Sequence, residues 1–135
     1  AAVHAAVPFV DTLTTILKPE LPLTVTEWEE WGDPLHDAEV YEYMASYTPY
    51  ENIEMVQHPA ILATTSFNDT RVSVVEPAKW VARLRATSQN APEDVLLKCE
   101  MVAGHGGVSG RYRAWREAAF ELAWIIDRTG GTHRE

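Results

Sequence analysis

The sequence predicts an α/β fold in which parallel strands alternate with helices through right-handed crossovers. Three observations predict it. "AILATTS", residues 60–66, is a continuous apolar run closed by the polar turn "FNDTRV", the pattern of a strand buried in a parallel sheet. "DVLLKCEM" is a second run of that kind. Between them, "EPAKWVARLRAT" sets Trp80, Val81 and Leu84 on one helical face and Lys79, Arg83 and Arg85 on the other.

The remaining elements follow in chain order. "AAVHAAVPFV" is small and β-branched and reads as a buried strand running into a loop at Pro8. "DTLTTILK" opens on a candidate N-cap, Asp11, with Leu13, Ile16 and Leu17 at helical spacing. "PELPLTVT" reads as a proline-broken loop, and "EWEEWGDP" as one helical turn closed by Gly32 and Pro34. "DAEVYEYMASY" is a helix capped by Asp37 and packed through Val40, Tyr43, Met44 and Tyr47. Pro77 falls in the first turn of the "EPAKW" helix. "RYRAWREAAFELAWIIDRTGG" closes the chain as a long helix stopped by Gly130 and Gly131. With no partner upstream of the first strand, the chain reads as the back half of a sheet.

Composition narrows the function classes. The 135 residues, 46% hydrophobic and 23% charged, suit one globular domain or a piece of one. A net charge of −9 argues against a nucleic-acid partner and allows cationic substrates. No apolar run reaches membrane-spanning length, and "AAVHAAVPFVD" lacks the basic start of a signal peptide. The lone Cys99 has no internal disulfide partner, which fits a reducing, cytoplasmic setting. His4, His36, His58 and His133 are scattered without ligand spacing, so neither a metal site nor another cofactor is expected.

Chemistry in an open parallel sheet collects beyond the carboxyl ends of the strands. Two polar loops occupy that place: "SFNDTRV" with Asp69, and "AGHGGVSG" with His105 among four glycines. A carboxylate that accepts a hydrogen bond from an imidazole fixes its tautomer and stabilises the imidazolium formed in proton transfer. Asp then His is the chain order of the last two members of an α/β-hydrolase triad, whose serine comes first in G-x-S-x-G. None of the serines here lies in that motif, and Cys99, inside a strand, reads as a small packing residue.

"VPFVDTLTTIL", "LPLTVTEWEEWGDP", "YEYMASYTPYENI", "NDTRV", "EPAKWVARLRA" and "GHGGVSGRY" together resemble the C-terminal end of the oligopeptidase B branch of the prolyl oligopeptidase family of serine peptidases. The resemblance runs in order over nearly the whole chain. It implies that residues 1–135 are the C-terminal portion of an α/β-hydrolase catalytic domain, joined in the parent to a β-propeller that admits only short peptides. It implies cleavage after arginine and lysine, with Asp69 as catalytic acid and His105 as catalytic base. The serine elbow and the oxyanion donors would lie upstream of Ala1, so the chain alone is expected to be inactive.

The resemblance also implies a basic-residue pocket served by Glu27 and Glu29, since fixed carboxylates pair bidentately with a guanidinium. On a regular helix those two residues face apart, whereas Glu27 and Glu30 share a face. Serving one pocket would need an irregular backbone or action at different depths; a solvated acidic turn is the plain alternative. By the same resemblance Arg71 bonds substrate backbone carbonyl, and Phe9 and Val72 wall the pocket. Without it, Arg71 reads equally as a local partner of Asp69 or Glu76, and Phe9 and Val72 as core. Val75 stands where relatives often carry an aromatic. An esterase or acylaminoacyl peptidase on the same fold, or a non-catalytic α/β binding module, remain the alternatives.

Overall fold

The computed structural model describes residues 1–131. His133, among the histidines read above as non-ligating, lies outside them. Three parallel strands form one sheet in the order β1 (Ala2–Ala6), β2 (Ala60–Ser66), β3 (Val95–Glu100). β1 pairs with β2 from Ala2↔Ala60 to Ala6↔Thr64, and β2 with β3 from Ile61↔Val95 to Ser66↔Glu100. The central β2 is apolar and buried over residues 61–63 and turns polar at Thr64, Thr65 and Ser66, toward the end that carries the functional loop.

Side chains alternate across a strand, so the two faces of the sheet carry different residue sets. Ile61, Ala63 and Val95 pack with Val81 and Leu84 of α4 (Val75–Thr87), Trp80 and Leu97 joining at the edge. On the other face, Thr64, Ser66, Lys98 and Glu100 meet α5 (Arg111–Arg128) across a cavity of about 330 Å³. Lys98 there forms an ion pair with Glu117. The α4 side is a closed apolar core; the α5 side is polar and open.

The crossover from β1 to β2 contains a second cluster. Leu13 and Ile16 of α1 (Thr12–Ile16) and Met44 of α3 (Ala38–Ala45) are buried together, with Phe9, Trp28 and Val40 against them. Trp28 of α2 (Thr24–Trp31) donates its indole N–H to the Ile16 carbonyl at 3.0 Å. α2 ends at Gly32, whose φ of 93° is open to glycine and where a Cβ would meet Val40 at 2.7 Å. Asp37 caps α3 as the sequence predicts, accepting from the Glu39 and Val40 N–H groups.

Several expectations need correction. α2 begins at Thr24, so "TVT" is helix rather than loop; Thr24 N–H bonds Leu21 O, and Pro22 precedes the helix, where its missing donor costs nothing. Asp11 stands at the N-cap position of α1 but gives its carboxylate to Lys79 instead of to helix N–H groups. Lys79 is therefore turned over the Tyr50 ring at 4.4 Å, with Arg83 at 4.7 Å from the same ring, and Arg85 Nε donates to Val95 O at 2.7 Å. Tyr43 and Tyr47 stack edge to face and stand exposed among the described residues. Among the described residues β1 is half-buried at the sheet edge. No helix of the described residues is long and apolar enough to cross a membrane.

Candidate active site

The turn after β2 builds the first functional group. Phe67 N–H extends the pairing to Glu100 O at 2.7 Å, and Asp69 N–H returns to Ser66 O at 3.2 Å. Asp69 Oδ1 then accepts the Arg71 and Val72 N–H groups at 2.8 and 3.0 Å, which locks the carboxylate onto its own turn. Its side chain has 0% exposure. Burial pushes this carboxyl up, but the Val72 and Arg71 N–H groups and His105 outweigh it and hold Asp69 below its ordinary value. The group stays anionic at neutral pH.

The loop after β3 brings the second. His105 Nδ1 lies 2.9 Å from Asp69 Oδ2 and 3.2 Å from Oδ1, with the ring 37% exposed. Donation from Nδ1 leaves Nε2 as the nitrogen that takes up a proton. Gly107 N–H closes a turn onto Gly104 O at 3.0 Å with His105 inside it, and Gly107 has φ 70°. A Cβ at Gly104 would stand 3.3 Å from Asn68 O, a tight contact to which the turn after β2 would have to yield.

Two side chains that the sequence reading did not single out hold this loop. Asn68 Nδ2 donates to Val102 O at 3.1 Å and Met101 O at 3.4 Å, joining the turn after β2 to the loop after β3. Glu100 Oε2 accepts the Val102 N–H at 2.7 Å and the Ala103 N–H. Those two N–H groups lower the Glu100 carboxyl, and Arg113 stands 3.6 Å from its other oxygen. The one sequence signal for them was position: Asn68 is the neighbour of Asp69, and Glu100 is a charge ending an apolar strand.

Phe9, Glu27 and Arg71 come together. With Asp69, Thr15 and Ser73 they line a cavity of about 330 Å³, whereas His105 lines the separate cavity against α5. Glu27 is half-buried; burial first, and then the charge of Glu30 on the same helical face, raise its carboxyl. α2 is a regular helix, so Glu29 is exposed and outside the lining of this cavity. Val72 contributes its N–H to Asp69 and is likewise not in the lining. The Arg71 guanidinium makes no ion pair among the described residues. Among the described residues no group of His, Cys, Asp and Glu is arranged to hold a metal ion.

A family model described as the prolyl oligopeptidase family matches residues 1–132. The chain belongs to this family. It is 50% identical over 125 residues to protease 2 of Moraxella lacunata, covering 93% of this chain and 18% of that protein. It is 44% identical over 124 residues to dipeptidyl aminopeptidase BI of Pseudoxanthomonas mexicana, covering 92% and 17%. The structure of oligopeptidase B from Leishmania major superposes with a TM-score of 0.92 at 39% identity, covering 98% of this chain and 18% of that one. The fold is thus the α/β-hydrolase fold of prolyl oligopeptidase-family proteins, and the chain spans under a fifth of the length of these relatives.

Proposed function

We propose that this chain is the C-terminal part of the catalytic domain of a serine-type oligopeptidase that cleaves short peptides after arginine or lysine. The observation that carries the reading is the Asp69–His105 pair, 2.9 Å apart on neighbouring strand ends, beside a cavity that contains Glu27. His105 takes the proton of a serine hydroxyl supplied by the remainder of the parent chain, then returns it to the leaving amine. Asp69, held anionic, keeps the imidazole in the tautomer with Nε2 free and stabilises the imidazolium. The oxyanion donors and the propeller that limits substrate length also belong to the remainder, so the chain alone has no turnover. A cytoplasmic site of action is consistent with the single cysteine.

Specificity follows from charge. Glu27 receives the P1 cation against the Phe9 ring, and Arg71 bonds a substrate carbonyl. Glu29, exposed on the same helix and outside the cavity lining, contributes to the pocket only through its charge. The test compares Glu27→Gln, Glu29→Gln and Glu30→Gln in the full-length protein, on an arginyl amide, an uncharged P1 amide and an alkyl ester. Glu27→Gln should raise KM for the arginyl amide by an amount equivalent to about 2–5 kcal/mol, less where the pocket stays wet. Glu29→Gln should cost less, and Glu30→Gln little. An equal response of charged and uncharged substrates would refute the acidic pocket, and a preference for the ester would favour an esterase.

A further inference from the structure

Glu76 is 2% exposed, and the proposed reaction has no use for it. A buried carboxyl is costly unless its oxygens are fully bonded, and a packed apolar residue is a common alternative. Here the bonds reach far along the chain. Oε2 accepts the Val10 N–H at 3.0 Å and the Asp11 N–H at 3.1 Å, and Oε1 accepts the Thr15 hydroxyl. Burial raises the carboxyl against these bonds. One turn further along α4, Lys79 pairs with the Asp11 carboxylate, a second tie to the same segment.

Both ends of this connection are walls of one cavity. Phe9 directly precedes the bonded Val10, and Thr15 is itself a partner; both line the Glu27 cavity. At the other end, Glu76 N–H bonds Ser73 O at 3.0 Å, and Ser73, Arg71 and Asp69 line the same cavity. We propose that Glu76 is a positioning residue for substrate selection, its reach setting the gap between the Phe9–Thr15 wall and the Asp69–Arg71 wall. Phe9 also meets Trp31 edge to face at 6.0 Å. The inference rests on the acidic-pocket reading above, because a well-gauged gap matters most to a long cationic side chain.

Length and charge can be separated in the full-length protein. Glu76→Asp keeps the charge and shortens the reach; Glu76→Gln keeps the reach, its oxygen accepting the two N–H groups while its NH₂ turns to Thr15. Glu76→Asp should lower kcat/KM for an arginyl amide through KM, by up to about a hundredfold if a wall moves by about 1 Å. Its kcat/KM on an uncharged P1 amide should stay within a few-fold, and Glu76→Gln should retain the wild-type arginyl preference. An unchanged preference in Glu76→Asp, or a loss in Glu76→Gln as large as in Glu76→Asp, overturns the proposal. Should Glu76→Asp not fold, Thr15→Val removes one bond of the three, and an unchanged preference there overturns it equally. A wild-type protein without arginyl preference would sink the acidic-pocket reading by itself. The Glu76 proposal would then stand or fall on the KM of the preferred substrate in Glu76→Asp.

Discussion

The turn after β2 holds its functional residue from within, whereas the loop after β3 has its functional residue held from outside. Asp69 is buried and bonded by N–H groups two and three residues along its own turn. His105 is a third exposed, and its loop is shaped by Asn68 from the neighbouring turn and by Glu100 from the end of β3. An acid has to be in one place with one charge, and a turn that solvates its own carboxylate achieves both. A base has to exchange protons with a substrate, so it stands in the open and others position it. The difference locates the sensitivity of the site: chemistry in the first loop, placement in the second.

Asp69→Asn tests the first half and carries the largest expected effect. The amide oxygen can keep the Arg71 and Val72 bonds, but its NH₂ faces Nδ1 and favours the wrong tautomer. In the full-length protein kcat should fall by about 10⁴-fold with KM little changed, as steady-state kinetics would show. Near-normal turnover would mean that another group orients His105, and the contrast between the loops would collapse. Asn68→Ala tests the second half. Losing its bonds to the Met101 and Val102 carbonyls should cost about tenfold to a hundredfold in kcat, through misplacement of the imidazole, while KM for an arginyl amide barely moves. A loss confined to KM would assign Asn68 to the substrate cavity instead.

The smallest effect is one of pH. The carboxyls of Asp69 and Glu100 are both lowered in the fold, so each stabilises its loop above its unfolded value and stops doing so as pH falls through the lower folded value. Those unfolded values are about 3.9 and 4.3. Hydrogen exchange in the acid range should therefore show the Arg71 and Val72 amides, and separately the Val102 and Ala103 amides, losing protection below about pH 4. The second pair should be the less protected throughout, because its carboxylate is the less buried of the two. Glu76 has the opposite sign: its raised carboxyl makes the fold less stable as pH rises from its unfolded value through the folded one, and Glu76→Gln should flatten that slope.

Much of this was legible in the sequence because it rests on periodicity. The runs at 60–66 and 95–100, the helix between them and the capping Asp37 are local patterns, and each forms where its pattern stands. Asp69 and His105 could be paired because parallel strands deliver consecutive loops to the same edge. What escaped is what depends on partners distant in sequence. Asp11 has the right type for a cap, but Lys79, 68 residues away, captures its carboxylate. Glu76 looks like an ordinary acidic residue at a helix start until Val10, Asp11 and Thr15 are folded onto it. Tyr43 and Tyr47 had helical spacing, yet spacing cannot say whether a neighbour covers the face.

The register of the sheet has a kinetic consequence. Ala2 lies opposite Ala60, and Ile61 opposite Val95, so no strand pairing here is a hairpin and each waits on the closure of a long crossover. Helices of the length of α4 and α5 can form and melt in about a microsecond, while pairings of high sequence separation are slow, since loop-closure entropy precedes any contact that rewards it. The Asp69–His105 hydrogen bond hangs from the far ends of two such strands. It is therefore among the last contacts to appear as the chain folds.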